Sequence, residues 1–99
     1  TYVVIGRSTF SSAILNTMDF KHLTDAVVVG EQTAGKPNHF GEVRNFQLPG
    51  SKLTVAYSTK YFRRTDEEAD TITPDVRIEM SFTDFTKGID PVYEWIKAQ

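Results

Sequence analysis

The chain of 99 residues contains no cysteine. This excludes disulfides, thiolate nucleophiles and thiolate metal sites, and it is compatible with either redox compartment. Histidine is scarce at two residues, His22 and His39, and their separation argues against a transition-metal centre. No apolar run approaches the roughly 20 residues of a membrane-spanning helix, and no basic-then-apolar leader is present. Neither charge sign dominates. Eleven basic and 13 acidic residues leave a formal charge of −2, which argues against nucleic acid or an anionic membrane surface as the main partner. Repeats and low-complexity tracts are also missing, and so is the Gly-x-Ser-x-Gly pattern of α/β-hydrolases. The chain begins with Thr1 and reads as strand from Tyr2, so the expectation is a piece of a longer protein.

What is present is a sufficient apolar fraction, 39% with seven Phe, for one packed α/β domain. Tyr2-Val3-Val4-Ile5-Gly6 predicts a strand buried on both faces. Phe10, Ile14 and Met18, with Ala13 and Thr17, predict one buried stripe of a helix. Ser11 or a neighbouring hydroxyl residue is placed to cap that helix, which should fade near Lys21-His22. Ala26 to Val29, stopped by Gly30, predicts the next strand. Strand, helix and strand imply a βαβ unit with parallel pairing. A loop over residues 32–41 follows, then a hairpin from Glu42–Leu48 and Leu53–Phe62. Arg63 to Asp70 reads as a solvated charged loop, Val76 to Met80 as a short strand, and the remainder as two helices. The last helix is capped by Asp90, with Pro91 in its first turn.

This order places Ser11 where a strand hands over to a helix and Lys36 just beyond the end of the next strand. A serine hydroxyl needs a base before it can attack. A lysine serves if its surroundings keep it neutral. At a helix start the backbone N–H of Ser12 would face an oxyanion formed on the attacked carbonyl. Phe10 and Ala13 would exclude water. The plainer reading is a capping serine and a surface lysine.

The motif residues bear on this choice. Thr9-Phe10-Ser11-Ser12-Ala13, followed by Val27-Val28-Val29-Gly30-Glu31-Gln32-Thr33-Ala34-Gly35-Lys36, resembles the core of the tail-specific (C-terminal processing) serine peptidases. In that family the nucleophilic serine precedes the general-base lysine by 25 positions, as Ser11 precedes Lys36. Thr73-Pro74-Asp75-Val76 and Asp90-Pro91-Val92-Tyr93-Glu94 extend the resemblance over nearly the whole chain.

The resemblance implies a Clp-protease/crotonase-like α/β spiral built on the βαβ core, the hairpin and the C-terminal helices. Residues 1–99 would form the C-terminal part of the catalytic domain. It also implies Ser11 as nucleophile, Lys36 as general base, Ser12 as oxyanion donor and a polypeptide substrate, with no cofactor or metal. A further partner is the remainder of the catalytic domain, with a second oxyanion donor and a PDZ-like domain; oligomerisation is left open. An extracytoplasmic or membrane-associated location follows from the same resemblance.

The chain departs from the pattern at Phe40, where many members carry a glutamine that orients the lysine. It departs again at Ala69-Asp70-Thr71-Ile72, where a glycine usually precedes the Pro-Asp motif. His39, Glu42 and Thr33 are the candidates for orienting Lys36 or touching substrate. Three alternatives remain: a Ser11–His39 pair, a non-catalytic peptide-binding relative, and a crotonase-like acyl-CoA enzyme. The last should show Gly-rich oxyanion loops, which are absent. Asp66-Glu67-Glu68-Asp70 lacks the spacing of a calcium loop, and Tyr57, Tyr61 and Phe62 with Arg63 and Arg64 read as strand packing rather than a stacking surface.

Overall fold

A computed structural model describes all residues from Thr1 to Gln99. It is a mixed α/β structure with two sheets and three helices. The order is β1 (Tyr2–Ile5), α1 (Ser12–Leu23), β2 (Val27–Gly30), β3 (His39–Gln47), β4 (Thr54–Phe62), β5 (Val76–Arg77), α2 (Phe82–Lys87) and α3 (Pro91–Lys97). The first sheet runs β1-β2-β5, all parallel, with Tyr2 opposite Val27 and Ile5 opposite Gly30. The second is the antiparallel hairpin β3–β4, in which His39 pairs with Phe62 and Gln47 with Thr54.

The expected βαβ unit is therefore present, and its core is small. Val3 and Ile5 of β1, Val28 of β2, Ile14 and Met18 of α1, and Ile72 before β5 pack together. Ile14 and Met18 lie four apart and share one helix face. Phe10 and Ala13 do not join the stripe: Phe10 precedes the helix and is 67% exposed, and Ala13 is exposed too. The first strand also differs from expectation. β2 is central and its Val28 and Val29 are fully buried, whereas Val4 on the edge strand β1 is 57% exposed. An edge strand covered on one face alternates instead of burying every residue. At the start of β1, Tyr2 meets Trp95 of α3 edge-to-face at 5.6 Å.

Both C-terminal helices carry the caps their sequences dictate. Ser81 and Asp84 form a reciprocal capping box on α2. The Asp90 carboxylate accepts from the N–H groups of Val92 and Tyr93 on α3, with Pro91 in the first turn. The hairpin begins at His39, three residues earlier than its pattern suggested, and extends away from the parallel sheet. Its alternation is real, but the apolar face it creates is open to solvent at Phe40, Phe46, Tyr57 and Tyr61.

Candidate active site

Ser11 occupies the N-cap position of α1 and does not act as a cap. Its backbone adopts φ 55° and ψ −121°, and its side chain makes no capping hydrogen bond. A non-glycine residue in this region carries backbone strain of about 1–3 kcal/mol. The strained backbone belongs to the turn that Ala13 N–H closes on Phe10 O, while the Ser11 hydroxyl makes no hydrogen bond. A tight strand-to-helix turn lifts the nucleophile above a sheet edge in α/β-hydrolases; the turn at Ser11 occurs without the glycine motif that signals it there. The Ser12 N–H at the first turn of α1 has no acceptor within the chain, while the next donor, Ala13 N–H, bonds Phe10 O at 3.2 Å. A free N–H at a helix N-terminus is an anion donor.

The turn holding Ser11 is cross-linked to the loop holding Lys36. Thr9 closes the turn by accepting from Gly6 N–H at 3.0 Å, and Thr9 O accepts from Ala34 N–H at 3.3 Å. Gly35 then passes directly over the helix. A Cβ there would lie 3.2 Å from Phe10 and 3.3 Å from Ile14, so glycine permits this close approach. At the start of the loop, Gly30 takes φ 124°, and a Cβ would meet Ile5 O at 2.1 Å. Of the two glycines in the Gly-Glu-x-Thr-x-Gly-Lys run, Gly30 is required by the backbone, while Gly35 gives tight side-chain packing against Phe10 and Ile14.

Thr33 is buried and its hydroxyl is fully occupied. It donates to Gly35 O at 2.9 Å and accepts from Ile72 N–H at 2.9 Å, with the Thr71 hydroxyl oxygen 3.2 Å away. It organises the lysine loop and lines neither cavity beside Ser11. Asn38, also buried, bonds the backbone of Arg64 and Thr65. Nothing in the local sequence marked it.

Ser11, Lys36 and His39 line one cavity of about 240 Å³, together with Phe10, Ile14 and Phe40. An adjoining groove of about 600 Å³ shares Phe10, Ser11, His39 and Phe40, and extends past Ser12 and Glu42 to Lys60 and Phe62. Ser11 and His39 thus line both parts of this opening, Lys36 only the smaller cavity, and Ser12 and Glu42 only the larger groove. Glu42 is exposed, adopts φ 54° within β3, and accepts a hydrogen bond from the Thr59 hydroxyl at its backbone oxygen, 2.7 Å away.

His39 has a defined orientation. Its Nδ1 lies 3.0 Å from Lys36 O and 3.2 Å from Pro37 O. Since both partners are carbonyls, Nδ1 carries the proton and donates, which in the neutral ring leaves Nε2 as an acceptor. The ring stacks on Phe62 at 5.5 Å. The Lys36 ammonium pairs with Asp70, and both side chains are solvent-exposed. The hydrogen bond and charge of Asp70 raise the Lys36 pKa above its ordinary 10.5, with a smaller push from Glu68. The same pair holds the Asp70 carboxyl below the usual range. Phe40, in the position expected of an orienting amide, pairs with Tyr61 across the hairpin at 4.8 Å.

Asp75 of the Pro-Asp motif lies away from this opening. Its carboxylate accepts from Val28 N–H and from Lys21 Nζ, both at 2.9 Å, which fastens β2 to the end of α1. No family model and no curated protein matches the chain, so the likeness described above rests on its motif residues.

Proposed function

We propose that the chain carries the nucleophile side of a serine peptidase site. The observation that carries this reading is Ser11 itself, a strained serine with an uncommitted hydroxyl beside a free helix-terminal N–H and a cavity. In the proposed reaction Ser11 Oγ attacks a peptide carbonyl while the base takes its proton. The resulting oxyanion accepts from the Ser12 N–H. Collapse expels the amine, which leaves with the proton, and gives an acyl-enzyme on Ser11. Water then attacks the ester, releasing the acid and restoring the hydroxyl.

Lys36 is the proposed base. It shares the cavity with Ser11 and stands at the interval the resemblance calls for. The same reading takes β1-α1-β2 as one turn of a Clp-protease/crotonase-like spiral. It also assigns the open groove and the exposed hairpin face to contacts with the remainder of the catalytic domain and with an extended polypeptide substrate.

A second reading is favoured by the fixed His39 ring. Its Nδ1–H is held by two carbonyls and its Nε2 is available as an acceptor, and it lines the same cavity. An imidazole presented in this way is a ready general base.

Fluorophosphonate labelling and peptide hydrolysis by the protein carrying the whole catalytic domain separate the readings. Ser11→Ala should abolish labelling and lower turnover by about 10⁴-fold or more. Lys36→Ala should do the same while His39→Ala retains turnover. The reverse pattern assigns the base to His39. Full turnover in Ser11→Ala removes the peptidase reading, and peptide binding without any labelling would favour a non-catalytic relative. The 99 residues alone are expected to show no turnover.

A further inference from the structure

We propose that Asp70 is a brake on Lys36: by pairing with the ammonium it reduces the small fraction of neutral amine that could take the Ser11 proton. The inference rests on Lys36 acting as the base, and it adds a residue that neither motif contains. Asp70 is delivered to Lys36 by the same cross-link that organises the lysine loop. The next residue, Thr71, donates its hydroxyl to Thr33 O at 3.0 Å, and Ile72 N–H donates to the Thr33 hydroxyl at 2.9 Å. Thr33 in turn bonds Gly35 O, one residue before Lys36. The two backbones are therefore held in register, and the ion pair joins side chains from fixed positions.

The charge environment of Lys36 is one-sided. Facing it are Asp70 and Glu68 from the loop between β4 and β5, and Tyr61 from β4; His39, the first residue of β3, bonds the Lys36 carbonyl. The cavity shared with Ser11 contains no carboxylate, so the acidic influence arrives from the loop side alone. Both acids favour the charged amine, Asp70 most strongly because it also hydrogen-bonds it. Because both side chains are exposed, salt and water weaken the pairing, and the brake is one that substrate or ionic strength can release.

The test combines a direct titration of the amine with a rate profile. Side-chain ¹⁵N NMR of the whole protein follows Lys36 in wild type, Asp70→Asn and Asp70→Glu, alongside the pH dependence of kcat/KM on a peptide substrate. The Lys36 midpoint is expected to fall in Asp70→Asn and to stay near wild type in Asp70→Glu. At neutral pH kcat/KM should rise about two- to fivefold in Asp70→Asn, the scale of an exposed ion pair. Its acid limb should move to lower pH. Raising the salt concentration should speed wild type more than the variant. An unchanged Lys36 midpoint in Asp70→Asn overturns the proposal. A lowered midpoint with an unmoved acid limb keeps Asp70 in control of the amine and instead removes Lys36 from the role of base.

Discussion

At Ser11 a local cost and a local use coincide. The residue adopts φ 55° and ψ −121°, where a Cβ is disfavoured and glycine is at ease. Relief of that strain by Ser11→Gly is worth about 1–3 kcal/mol. The greater freedom of glycine in the unfolded chain returns about 0.5–1 kcal/mol of it. The expected net is a gain of about 1 kcal/mol relative to Ser11→Ala, read as a shift of several degrees in Tm, with fluorophosphonate labelling lost in both. Equal melting temperatures for the two variants would show that the turn is not strained and would weaken the case for Ser11. Legibility in the sequence stops at the same residue. Strand-to-helix placement was readable from hydropathy and from Ser11 at a helix start, but the side chain's refusal to cap was not. A backbone angle set by the turn around Thr9 leaves no mark in the identity of Ser11.

Among the elements, β1, α1 and β2 were legible because their signals are local: apolar runs for the strands and a four-residue repeat for Ile14 and Met18. What fastens them was not. Asp75 reaches Lys21 across 54 residues and the Val28 N–H across 47, and Asn38 reaches Thr65 across 27. Such separations give no periodic pattern. Asp70 was hidden for a related reason, since an acid in a charged stretch reads as solvated until a partner is seen. Asp75 has a consequence that can be measured. The Val28 N–H and Lys21 hold its pKa below 3.8, so its contribution to stability is complete above that value and is lost as the pH falls through the depressed one. Asp75→Ala strands the Val28 N–H, on a fully buried residue, and should cost about 1–2 kcal/mol at neutral pH by urea unfolding. The stability gap between variant and wild type should close in acid. A gap that persists at pH 2 would show that the carboxylate charge is not what β2 depends on.

On the scale of the whole molecule, the shape is extended. Its radius of gyration is 17.4 Å, against about 13 Å for a compact chain of this length. No side chain of the β3–β4 hairpin belongs to the apolar core, and neither C-terminal helix buries a residue. Phe40, Phe46, Tyr57 and Tyr61 form cross-strand aromatic contacts on one face, yet each remains largely open to water. A two-stranded hairpin without a covering layer is marginal by itself, whereas β2 lies between two strands and beneath α1. Amide exchange should therefore divide the chain into two classes. In the isolated 99 residues, the slowest amides belong to Val28 and Val29 of β2 and to α1 around Ile14 and Met18, exchanging only through global opening. Those from Val43 to Gln47 and Thr54 to Ser58 should exchange faster, through local opening. If the hairpin face is covered by the remainder of a catalytic domain, those same amides gain protection in the whole protein while the β2 amides change little. Equal protection of hairpin and core in the isolated chain would mean that the hairpin is stable uncovered, and its open aromatic face would no longer call for a neighbour.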